Sequence, residues 1–287
     1  MNCRRPITFS NRRQSARTAF ARVAAFTLIE MLLVITIIGI IAGLTLPHIG
    51  GLTKANVMTA ATRQMLDDVA YARQKAIQNR TIVYMVFVPP GFWENTNAVA
   101  FNNLNVDRDQ LTNLLVHQYS AYAMLTLKNV GDQVGRPYPR YLTDWKPLPQ
   151  GVIFAPDKFS LANTNYITNW TSLLSPQPVY TVPPFAQAML PFPTVDAATN
   201  GPNFSLPFIA FNSKGQLIPR PGQPGPQDEF IPLSRGSYLP LRDSNNVPLL
   251  ADIPPVETPA GNSTSNFNII HINALTGRAK VERPELQ

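Results

Sequence analysis

Hydrophobic and polar positions divide the chain into stretches of different period. From Phe26 to Leu46 nearly every residue is apolar, and Glu30 is the only charged side chain among these 21 residues. At the helical rise the run spans roughly 31 Å, about one hydrocarbon thickness, and it predicts a transmembrane helix. A buried core helix would not need such length. A secretory signal peptide would carry a shorter apolar stretch ending in small residues, whereas this run ends in Leu46-Pro47-His48. Pro47 and the Gly50-Gly51 pair predict a bend or loosening where the helix leaves the bilayer. Beyond them Met58, Ala61, Met65, Val69, Ala72 and Ala76 recur at spacings of three and four. That period predicts an amphipathic helix over about residues 53–79, with Arg63, Asp67, Asp68, Arg73 and Lys75 off its apolar face.

After Asn79-Arg80 the period changes. Thr81–Val88 is apolar and β-branched throughout and is stopped by Pro89-Pro90-Gly91, which predicts a strand buried on both faces. Further strands are predicted at Ala123–Lys128, Val152–Ala155 and Pro207–Phe211. A hairpin is predicted from Phe267 to Glu282, turning at Asn273–Gly277. Residues 107–118 have the pattern of a short helix. Of the 28 prolines, 23 lie between residues 137 and 260, so this region is expected to form loops and short edge strands.

Composition changes the picture mainly at the N-terminus. Residues 1–25 carry Arg4, Arg5, Arg12, Arg13, Arg17 and Arg22 and no acid. Without this leader the formal net charge of +7 falls to about +1, which removes the case for nucleic-acid binding. The basic leader before the apolar run, with only Lys54 closely after it, places the leader in the cytoplasm and the C-terminal bulk outside. The one cysteine, Cys3, lies in the leader and leaves the redox compartment open.

Glu30 needs a reason of its own. A carboxylate inside a bilayer costs about 2.5–3.5 kcal/mol on insertion scales. A plain anchor has no use for it, but a cation from another chain would make it tolerable. A free amino terminus, exposed by cleavage between Ala25 and Phe26, would be such a cation. The stretch FTLIEMLLVITIIGIIAGLTLP, Phe26–Pro47, resembles the N-terminal segment of type IV pilins and type II secretion pseudopilins. The resemblance implies that Phe26 is the first mature residue, freed and N-methylated by a membrane-embedded prepilin peptidase. It implies that Glu30 contacts the amino terminus of a neighbouring subunit during assembly, and that Pro47 marks a helix kink. The residue before the cut is usually Gly in that family and is Ala25 here.

Weaker motifs extend the likeness. Leu148–Val152 (LPQGV), Phe211–Gln216 (FNSKGQ) and Ile272–Val281 (INALTGRAKV) are similar to stretches of the H-type minor pseudopilins and of related minor pilins of pilus assembly. The fold this implies is α+β and pilin-like: a long N-terminal helix, half transmembrane and half amphipathic, packed on an antiparallel sheet that bears long proline-rich insertions. The segments are a cleavable leader at 1–25, a transmembrane helix at 26–46, its amphipathic continuation at 47–80 and a β-rich periplasmic or extracellular domain at 81–287. Partners implied are other pilin or pseudopilin subunits, the prepilin peptidase, an inner-membrane assembly platform and inner-membrane lipid, with no nucleic acid. The location implied is the inner membrane, single-pass with the N-terminus cytoplasmic, followed by a filament.

No constellation points to catalysis, a cofactor or a metal. His48, His117 and His271 are far apart in sequence and stand in no ligand-spaced pair. No nucleophile elbow or phosphate loop occurs. Asp228-Glu229, adjacent acids in a Pro/Gly loop, read as solvated carboxylates, with a calcium site as the sharper alternative. Trp93, Trp145 and Trp170 read as core aromatics before they read as a contact surface. The expectation is a structural subunit that is not an enzyme. The alternative is a membrane-tethered binding or enzymatic domain that uses 26–46 only as an anchor.

Overall fold

The computed structural model describes residues 27–92, 113–129, 131–133, 138–159, 168–170, 180–192, 203–242, 244, 253–265 and 267–282; side chains at 42–55, 168–170, 180–181, 203 and 264–265 lie outside that description. The chain divides into two compact units, Met1–Gly50 and Gly51–Gln287. Helix α1 (Leu28–Asn79) contains the division, and its two parts are treated separately.

In the second unit the helix buries the periodic face that its sequence specifies. Met58, Ala61, Met65, Val69, Ala72 and Ala76 all enter the main core. The helix ends in a Schellman motif. Thr81 N–H donates to the Ala76 carbonyl at 3.2 Å and Arg80 N–H to the Ile77 carbonyl at 3.3 Å, with Arg80 left-handed at φ 49°.

Two antiparallel sheets follow. The first orders β3 (Arg140–Tyr141), β2 (Ala121–Thr126), β1 (Val83–Phe87), β9 (Asn203–Phe211) and β8 (Ala186–Pro191), with β4 (Lys146–Pro147) also on β2. The second orders β11 (Val256–Glu257), β10 (Glu229–Ser237), β12 (Phe267–Ile272) and β13 (Ala279–Glu282), with β5 (Val152–Phe154) also on β10. β6 (Thr168–Trp170) and β7 (Tyr180–Val182) pair separately. Short helix α2 (Asn262–Ser265) lies between β11 and β12. The valine-rich strand is central, as its two-sided apolar pattern predicts: β1 pairs β2 on one side and β9 on the other. Phe87 stacks on Phe185 at 4.2 Å and meets Phe154 edge-on at 5.1 Å. Trp145 packs partly buried against the same core. Trp93 and residues 107–112 lie outside the described residues, and the side chain of Trp170 is likewise undescribed.

The proline-rich region departs from the expectation of loops and edge strands. β9 and β10 are each nine residues long, and β10 lies inside its sheet with Pro232 in it. β10 tolerates this proline because β5 stops short of it: the β5 ladder ends at Leu233↔Phe154. There Pro232 serves as an acceptor, its carbonyl receiving the Ala155 N–H at 3.0 Å.

Asp68 also corrects the sequence reading. It is 7 % exposed and sits on the buried side of the helix. The spacing explains this, because Asp68 is three residues from Met65 and one from Val69 and so borders the apolar stripe. Its carboxylate accepts from the Tyr122 hydroxyl at 2.6 Å and from Lys146 Nζ at 2.7 Å. Gln64 Nε2 donates to Tyr122 Oη and to the Pro147 carbonyl, each at 3.0 Å. Burial, and then the Asp68 hydrogen bond and charge, push the Tyr122 hydroxyl well above its ordinary range.

The far end of the helix is fastened by the C-terminal hairpin. Arg73 Nε donates to the Thr276 carbonyl at 2.7 Å, in the turn between β12 and β13. The Leu217 N–H donates to the Ala274 carbonyl at 2.9 Å and joins that turn to the one at 212–216.

Candidate functional site

The described part of the apolar run begins with a helix cap. Thr27 precedes α1, and its carbonyl accepts from the N–H groups of Glu30 at 3.1 Å and Met31 at 3.2 Å. Its hydroxyl oxygen also accepts from the Glu30 N–H at 3.3 Å. Thr27 is thus the N-cap and Glu30 the third helical residue, the spacing of a capping box. The Glu30 carboxylate stands in the first turn, where the helix dipole favours negative charge. Charge counting along the sequence missed this local reason for an acid; the T-x-x-E spacing carried the signal.

From Leu28 to Ile41 the helix is exposed on every side. Its large apolar residues are not confined to a stripe, and even Val34 is 42 % exposed. A helix apolar all round is stable only when surrounded by lipid or by other apolar helices. Among the described residues no helix is long and apolar enough to cross a membrane. The described side chains of the run end at Ile41.

Of the residues to which the resemblance gives processing, assembly or kink roles, the structure describes Glu30 in full. Ala25 and Phe26 lie outside the described residues, and Pro47 and His48 lie where side chains are not described. Thr27, Glu30 and the exposed apolar helix are brought together, and the site consists of these.

Asp228 and Glu229 are not the solvated pair that a Pro/Gly loop suggests. They part to opposite sides at the start of β10. Glu229 is 5 % exposed and forms ion pairs with Lys158 and Arg220. Lys158 is fully buried, donates to the Pro183 carbonyl at 2.7 Å and lies 4.4 Å from the Phe185 ring centre. Burial is the main cause that pushes its ammonium down to about 8, against the opposing pull of Glu229. Asp228 turns instead to His271, its Oδ2 lying 2.7 Å from Nε2. His117 is half-buried, and burial lowers its pKa from the ordinary value. Among the described residues no group of three His, Cys, Asp or Glu side chains is arranged to hold a metal ion.

Residues 21–46 match the family model of the prokaryotic N-terminal methylation motif. The matched stretch covers the end of the basic leader, the Ala25–Phe26 junction, Glu30 and the apolar run. The match supports a type IV pilin-like N-terminus. No curated protein and no solved structure matches the chain.

Proposed function

We propose that this chain is a minor pilin or pseudopilin, a structural subunit of a type II secretion pseudopilus or a type IV pilus, of the H-type or the related pilus-assembly minor pilins. A prepilin peptidase cuts between Ala25 and Phe26 and methylates the new amino terminus. The processed chain waits in the inner membrane, single-pass, with its β-rich unit on the outer side, until an assembly platform extracts it into a filament beside other subunits. It performs no catalysis itself.

The observation that carries this reading is the methylation motif at 21–46, laid over a helix whose apolar residues are exposed all round. Glu30 has a double part in it. Within the chain its backbone is capped by Thr27. Between chains its carboxylate neutralises the amine of Phe26 on an adjacent subunit, which sets the axial register as the helices bundle. Pro47 supplies the kink at the end of the packed segment.

Mass spectrometry of the N-terminus of the protein from its native host tests the processing. A chain beginning at methylated Phe26 is expected. A chain that begins upstream would be a tethered domain, and the filament reading would be wrong. Glu30→Leu tests the second step: membrane insertion is retained or improved, and crosslinked assemblies disappear. Undiminished assembly of Glu30→Leu would overturn the role given to this carboxylate.

A further inference from the structure

His271 lies in β12 between two carboxylates. Its Nε2 is 2.7 Å from Asp228 Oδ2 and its Nδ1 is 2.7 Å from Glu282 Oε1. The sheet register builds this arrangement. His271 is opposite Phe230 of β10 on one side and opposite Lys280 of β13 on the other. Asp228 and Glu282 are therefore the residues two positions along on each neighbour, within diagonal reach. The Phe230 ring stacks on the imidazole at 4.5 Å and closes one face of it.

A neutral imidazole carries one N–H and one lone pair. It can donate to one of these oxygens, and its lone pair then faces the other. Only the doubly protonated ring donates to both. We propose that His271, Asp228 and Glu282 form a pH-operated latch that holds the edge strand β13 to the sheet when the ring is doubly protonated and loosens it when the second proton leaves.

The surrounding groups fit this role. Asp228 Oδ1 accepts the Ala274 N–H at 2.7 Å, which anchors the latch to the turn before β13. Burial raises the Asp228 pKa, but the Ala274 hydrogen bond, the His271 hydrogen bond and charge, and the Lys280 charge outweigh it and hold the carboxyl below the usual range. The anionic form of Asp228 is thereby favoured. Lys280 Nζ is 2.7 Å from Glu282 Oε1 and helps to keep that oxygen in place. Glu229 faces away, toward Lys158 and Arg220. Arg73 on the helix holds the Thr276 carbonyl of the same turn, and Arg278 of the turn is exposed. β13 is four residues long and, among the described residues, pairs β12 alone, so the latch adds to a short ladder and to the packing of Ala279 and Val281. Its departure frees the edge of β12, Phe267–Ile272, for pairing with another strand. The latch lies wholly within 51–287 and stands or falls independently of N-terminal processing.

Hydrogen exchange of full-length protein in detergent, read by mass spectrometry at several pH values and corrected for intrinsic exchange, tests it. Protection of residues 279–282 is expected to fall about tenfold in the wild type between the lowest and the highest pH. In His271→Gln the same segment is expected to show no such slope. Glu282→Gln, which keeps the shape and removes one charge, is expected to reduce it. Equal slopes in the wild type and both variants would overturn the latch, as would protection that increases with pH.

Discussion

Gly215 and Gly277 lie back to back: a β-carbon added to Gly277 would fall 1.9 Å from the Gly215 carbonyl oxygen and 3.2 Å from Arg73 Cδ. Both glycines are left-handed, at φ 77° and 62°. The two turns of the FNSKGQ and INALTGR stretches are thus pressed together against the helix. The expected consequence is a large difference between glycines. Gly277→Ala should destabilise by about 2–4 kcal/mol, from the clash added to the strain of the backbone. Gly131→Ala, with φ 98° and nothing within 4 Å of its β-carbon, should cost only about 1 kcal/mol. Urea unfolding of the two variants measures the gap.

The clasp at Asp68 makes a second test. Tyr122→Phe removes one donor and should cost about 1–2 kcal/mol. Asp68→Ala leaves the buried Tyr122 hydroxyl without its acceptor and frees Lys146, and should cost about 2–3 kcal/mol. In a double-mutant cycle the two losses should fall well short of adding, because both report one contact.

Arg80 occupies the position at the end of the helix where glycine is favoured, and it is exposed. Arg80→Gly should raise stability by up to about 1 kcal/mol by relieving its left-handed conformation. A rise in the thermal midpoint checks this, and a fall would mean that the arginine side chain supplies more than its backbone costs.

Lys158 predicts a pH dependence with a definite sign. Its ammonium is pushed down to about 8 in the folded chain from an ordinary value of 10.5. Between these values the unfolded chain binds the additional proton, so the contribution of Lys158 to stability rises with pH across the window. Below about 8 the full cost of the buried charge is present. Lys158→Met, which leaves Glu229 with Arg220, should remove this rise. The difference between the two unfolding curves, measured from about pH 7.5 to pH 10.5, isolates it from other titrating groups.

The methylation motif at 21–46 was legible because it is local. The single acid, the aromatic residue before it and the apolar run lie within one continuous stretch, whereas the T-x-x-E cap in the same stretch went unread. The buried face of the amphipathic helix was legible for a related reason, since its period is written in consecutive turns. Asp68 was misplaced because the groups that make its burial tolerable are 54 and 78 residues away. β10 was hidden by Pro232, which reads as a strand breaker unless the end of the β5 ladder is known. The Lys158–Glu229–Arg220 cluster left no signal at all: a lysine beside an aspartate and an acid in a proline-rich loop both look like solvent-facing residues.

The hydrogen bond from Arg73 to Thr276 joins residues 203 positions apart. Another, from Asn268 to Thr62, joins residues 206 apart. The amphipathic helix therefore emerges from the ribosome long before its fastenings exist. β1 and β2 are made soon after the helix, but the part of its surface held by Thr276 and Asn268 waits for the closing hairpin, the last described piece of the chain to be synthesised.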